Sequence, residues 1–161
     1  MSLFRLLASL LCLLYEAPAV AAAPPRDVDL ELVLAIDASG SVDEEEFKLQ
    51  LAGIAAAFRN QDVQAAVASG PRGRIAVAIV IWADASTPKD QTDWYLLASP
   101  ADCNAFAIVV DEVPRRVEGG TGIGSAVAHS IRLMEYNDIS APRRVVDVSG
   151  DGIETPVRED I

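Results

Sequence analysis

The chain has 161 residues, with 24 acidic side chains against 13 Lys and Arg, and a formal net charge of −11 at pH 7. That balance argues against nucleic acid or an anionic membrane surface as a partner, because both would repel it. It suits cations and basic protein surfaces.

The N-terminus reads as a processing signal. Arg5 gives a short basic start, residues 6–14 form an apolar stretch too short to span a bilayer, and Ala19-Val20-Ala21 is an A-x-A cleavage pattern. The expected division is a signal peptide over 1–21, a short linker over 22–27 and one domain over 28–161, in a protein exported to the periplasm or the medium. Removing the signal leaves about 140 of the 161 residues, enough for one hydrophobic core. It also removes Cys12, so Cys103 is the only cysteine expected in the mature chain and no intrachain disulfide can form. Cys103 falls on a predicted helix, where a small packed hydrophobe is its simplest role.

Residues 28–36 begin with polar–apolar alternation, Asp29 and Glu31 outward, and become continuously apolar, as in a strand buried on both faces. Ser41 or Asp43 then caps a helix, and Ser41 with Glu44 fits a capping box. Phe47, Leu51, Ile54 and Phe58 recur at helical spacing as its buried stripe. Residues 61–74, which contain Ser69-Gly70-Pro71-Arg72-Gly73, read as a loop or turn. A second strongly apolar strand is predicted over 75–82, and a shorter third over 94–97 after the polar turn 86–90. A second helix starts near Ala101, buries Phe106, Val109, Val110 and Val113, and ends at Pro114. A third turns Ile123, Val127, Ile131 and Met134 inward and is closed by Asn137-Asp138 and Pro142; residues 143–148 form the fourth strand.

Alternating strands and helices imply an α/β fold, a doubly wound and mostly parallel sheet with right-handed crossovers. In such sheets ligands bind outside the carboxyl ends of the strands. Asp37-Ala38-Ser39-Gly40-Ser41 follows the first strand directly, placing one carboxylate and two hydroxyls in a tight turn. Thr121, in Gly119-Gly120-Thr121-Gly122, precedes the third predicted helix, and Asp151, in Ser149-Gly150-Asp151-Gly152, follows the fourth strand. All five residues are expected on one rim, where their hard oxygens suit Mg²⁺ with a coordination position left open. Asp84, after the second strand, reaches the same rim and most simply solvates its turn.

These three motifs, in this order, resemble the metal-ion-dependent adhesion site of von Willebrand factor type A (vWA) domains, and the arrangement is similar to exported bacterial vWA-like proteins of unknown function. The resemblance covers about residues 28–154. It implies Mg²⁺ or Mn²⁺ bound directly by Ser39 and Ser41, directly or through water by Thr121, and mostly through water by Asp37 and Asp151. It also implies a partner protein that offers a carboxylate to the metal. Members of the family normally continue beyond the strand that here is 143–148, so the domain is expected to be C-terminally incomplete, with that strand as an open edge.

The rival reading is an enzyme, a metal-dependent hydrolase; a second alternative is a truncated structural remnant that binds nothing. The glycines of 120–124 lack phosphate-loop spacing and no G-x-S-x-G occurs. Ser39 stands where a phosphoryl-transfer centre built on Asp37 would want a second aspartate, and His129 lies within a helix. No catalytic residue is assigned, and a non-enzymatic binding module is expected.

Overall fold

A computed structural model describes residues 26–152; the expected signal peptide and the segment after Gly152 lie outside the described residues. The chain runs through β1 (Arg26–Asp27), β2 (Leu30–Asp37), α1 (Glu44–Arg59), α2 (Gln61–Val67), β3 (Ile75–Trp82), β4 (Asp90–Gln91), β5 (Tyr95–Leu97), α3 (Pro100–Asp111), α4 (Ile123–Glu135), β6 (Ile139–Ser140) and β7 (Arg144–Ser149).

The main sheet has the order β4-β3-β2-β7, with β5 also paired to β3. β2 is parallel to both β3 and β7, with Asp37 opposite Trp82 and Ile36 opposite Ser149. β4 and β5 are antiparallel to β3, at Val80–Ile81 and Ile75–Val77. The sheet is therefore mixed rather than mostly parallel. The link from β3 to β4 and β5 is too short to hold the crossover that a parallel return requires, so the chain doubles back as a hairpin. Arg26 and Asp27, expected in a linker, form β1 and pair with β6 as a separate two-stranded sheet.

Helices cover both faces. Leu34 and Ile36 of β2 and Ile75, Val77, Ile79 and Ile81 of β3 pack with Phe47, Leu51, Phe58, Cys103, Phe106 and Val110 of α1 and α3. The opposite face meets α4, where Ala35 and Trp82 pack with Ala126, and Val33 and Val80 with Met134. All eight residues of β3 are buried, which is why that strand reads as an unbroken apolar run.

Several local expectations are corrected. The N-cap of α1 is Asp43, not Ser41, and the capping box pairs Asp43 with Glu46; Ser41 bonds elsewhere, as described below. Ala55 rather than Ile54 completes the buried stripe of α1. Residues 61–67, expected in a loop, form α2, because Asn60 accepts from the Asp62 N–H and caps a new helix. Ser99 caps α3, which stops at Asp111, so Val113 lies beyond it. In α4, Ile131 is 45% exposed; the inward positions are Ala126, Ser130 and Met134, with the Ser130 hydroxyl donating to Ala126 O at 2.8 Å. Glu31, expected outward, is 0% exposed. Arg144 Nε and Asn137 Nδ2 donate to its carboxylate at 3.3 and 3.2 Å.

Candidate functional site

The site lies at the carboxyl ends of β2, β3 and β7. Asp37 is the last residue of β2, and Asp37 and Ser39 are both 0% exposed. The backbone N–H of Ser39 donates to Asp37 Oδ1 at 2.7 Å, which folds the loop back over the strand end. Ser39 Oγ lies 3.1 Å from Ser41 Oγ, and Ser41 Oγ donates to Asp151 Oδ1 at 2.9 Å. Thr121 is 6% exposed. A Cβ built on Gly152 would stand 3.1 Å from Thr121 Oγ1 and 3.4 Å from Ser41 Oγ, so these two hydroxyls flank that glycine. All five residues singled out in the sequence are brought to one rim.

Asp37 Oδ2 is buried and has no hydrogen-bond partner among the described residues. A Cβ at Gly150 would come within 2.8 Å of it and within 3.3 Å of the Trp82 ring. Only a residue without a side chain lets β7 leave the sheet this close to the carboxylate.

Backbone contacts hold the three loops in register. Gly40 N–H donates to Gly119 O at 2.7 Å, and Gly122 N–H donates to Ala83 O at 2.9 Å. A Cβ at Gly122 would meet Ala85 N at 2.6 Å, so the Thr121 loop approaches the end of β3 more closely than any other residue permits. Asp84 Oδ1 accepts from the Ser86 amide at 2.8 Å and its hydroxyl at 2.6 Å. Those bonds, with help from the Gly120 amide and Lys89, hold its carboxyl below the usual range against the opposing effect of burial. The Asp84 carboxylate thus organises its own turn and braces the glycine loop.

Arg115, which no sequence motif marked, supports the site from below. Its Nη2 donates to Ala38 O, Ser39 O and Val42 O at 3.1, 3.0 and 2.7 Å, and its guanidinium lies 5.9 Å from the centre of the Phe47 ring. One cation therefore holds the carbonyls of the loop that carries Ser39 and Ser41. The detectable signal is weak: an arginine just past the proline that follows α3.

The other reactive types lie elsewhere. Cys103 is buried in α3, and burial, with the charge of Asp102, pushes its thiol up from the ordinary value, the reverse of what a nucleophile needs. His129 sits on α4, with the sheet between it and Cys103. Among the described residues no three His, Cys, Asp or Glu side chains gather to hold a metal, so the donors at the rim are two carboxylates and three hydroxyls. No described helix is long and apolar enough to cross a membrane.

Comparison with curated proteins finds no match, and comparison with solved structures finds none. A family model described as a protein of unknown function (DUF1194) matches residues 27–159, and on that match the chain belongs to the DUF1194 family.

Proposed function

We propose that this chain is a doubly wound, vWA-like domain, exported from the cell, that holds Mg²⁺ or Mn²⁺ at the Asp37, Ser39, Ser41, Thr121 and Asp151 rim and uses the ion to bind a carboxylate of a partner protein. The observation that carries the reading is Asp37 Oδ2, a buried carboxylate oxygen without a partner among the described residues. Such an atom costs about 1–3 kcal/mol or more unless something satisfies it, and a cation with its bound water would do so. The hydroxyl spacing agrees. Neighbouring ligands of an octahedral ion at ~2.1 Å stand ~3.0 Å apart, and the Ser39 and Ser41 hydroxyls are separated by 3.1 Å.

Neutral hydroxyls leave the ion most of its charge, so an incoming carboxylate is strongly attracted. A mainly apolar groove of about 390 Å³ runs from Asp151 and Gly150 past Val42 and Leu49. It offers a place for the partner's side chains beside its acidic residue, and Leu49, at 72% exposed, is a ready contact.

Calorimetric titration of the purified protein with Mg²⁺ tests the first half: one ion per chain is expected, with the heat lost in Ser39→Ala combined with Ser41→Ala. An array of Asp- and Glu-containing peptides tests the second half. Retention that survives chelation, or survives the same double substitution, is incompatible with metal-bridged recognition.

A further inference from the structure

A second pocket, of about 210 Å³, lies between the turn after β3 and the outer side of α4, and is lined by Ser86, Thr87, Lys89, Ser125, His129 and Arg132 among others. Its character is opposite to that of the molecule. The chain carries a net charge of −11, yet this concavity gathers an ammonium, a guanidinium and an imidazole. Among the described residues neither Lys89 nor Arg132 has a carboxylate within ion-pair distance, whereas Arg26, Lys48, Arg59, Arg72, Arg116 and Arg144 all do.

The arrangement is held in place. Lys89 Nζ donates to Asp84 O and Thr87 O, both at 2.7 Å, so the ammonium is fixed by the turn and keeps one proton for another acceptor. His129 Nε2 lies 2.6 Å from Gln91 Oε1, which orients the ring. Asp84, the nearby carboxylate on the turn, is bonded to the Ser86 amide and hydroxyl; Asp90, beside Gln91 on β4, is paired with Arg116. Burial lowers the pKa of Lys89, with only Asp84 acting against it. Burial first, then Arg132 and Lys89, lower that of His129, so the ring feels both neighbouring cations. This is positive charge assembled at a cost and only partly offset, by Asp84 acting on Lys89 from beyond ion-pair distance.

We propose that this pocket binds a phosphoryl-type oxyanion, with Lys89 and Arg132 supplying charge, and the Thr87 hydroxyl and the protonated His129 ring supplying hydrogen bonds; the Ser86 and Ser125 hydroxyls line the pocket but already donate to Asp84 Oδ1 and Gly122 O. Size and donor number select the class. Pockets for larger organic ligands run to about 300–1,000 Å³, above the 210 Å³ here. A tetrahedral dianion can use two cations, a hydroxyl and an imidazolium at once, where a monocarboxylate uses fewer. The inference does not rest on the metal reading, since the pocket shares none of the five rim residues.

His129 is the only histidine of the chain, so its ring signals in NMR report on the pocket alone. Inorganic phosphate, added in the presence of chelator, should move those signals saturably and raise the titration midpoint of the ring. Arg132→Gln, a change at an exposed position of α4, should weaken the effect about tenfold or more, as loss of a charge-assisted bond requires. Glycerol phosphate in place of phosphate separates a site for free anion from one for an esterified phosphoryl group; saturable shifts with either ligand support the proposal. Three results overturn it: no displacement at tens of millimolar phosphate, an equal displacement by chloride at matched ionic strength, or an unchanged response in folded Arg132→Gln.

Discussion

The two faces of the sheet are built on different plans. Under α1, α2 and α3 the apolar side chains form one continuous core, from Phe47 and Phe58 through Ile79 to Phe106 and Val110. Phe106 there packs edge-on to Phe58, ring centres 4.8 Å apart. On the α4 side the buried apolar groups fall into separate small clusters around Val28, Val33 and Ala35, and Ala126 and Ser130 bring the helix close without filling volume. Cohesion is concentrated on one side. The Thr121 loop, the Asp84 turn and the basic pocket all belong to the thinner side, where rearrangement costs less.

Substitutions can break or sharpen this contrast. The largest effect is expected at Phe106→Ala, which should cost about 3–5 kcal/mol in chemical denaturation, whereas Met134→Ala on the thin side should cost about 2 kcal/mol. Equal losses would erase the distinction between the faces. Arg115→Met comes next, at about 1–2 kcal/mol, because three carbonyls of the 38–42 loop lose their donor. Its sharper signature is at the rim: the rise in Tm that the proposed Mg²⁺ site would produce should shrink while the core stays intact.

The smallest effect is the pH dependence that His129 brings to the thin side. Its pKa in the folded protein lies below the ordinary 6.5, mainly through burial and then through Arg132 and Lys89. Between the folded value and 6.5 the unfolded chain binds more protons, so stability falls as pH drops through that window and levels off below it. Denaturation followed from pH 7.5 downward should show this slope, and His129→Gln should flatten it.

The centre of the molecule was legible because burial on both faces leaves a continuous apolar run in β2 and β3. The rim was legible for a related reason: Asp37 and Asp151 stand immediately past strand ends, so their placement follows from the strands alone. What escaped depended on partners far along the chain or on subtle choices between neighbours. Glu31 reads as solvent-facing by alternation, and is buried only because Arg144 and Asn137 come to it from the other end of the sequence. The antiparallel course of β4 and β5 leaves no trace in composition. In α4 apolar periodicity favoured Ile131, but close approach to the sheet selected small Ala126 and Ser130 instead. Arg115 works by reaching carbonyls, and carbonyls are the same in every residue.

The burial of Glu31 has a consequence for how the chain finds its pairing. Glu31 stands opposite Arg144 in the β2–β7 ladder. Displacing β7 by two residues, the smallest shift that keeps the same side chains inward, would put Pro142 or Val146 across from a carboxylate sealed from water. Stranding such a charge costs ~3–5 kcal/mol, a large share of the ~5–15 kcal/mol that typically separates folded from unfolded. Valine-rich strands slide easily past one another. A single interior acid and its arginine act here as a ratchet pin, admitting one alignment and rejecting its near neighbours.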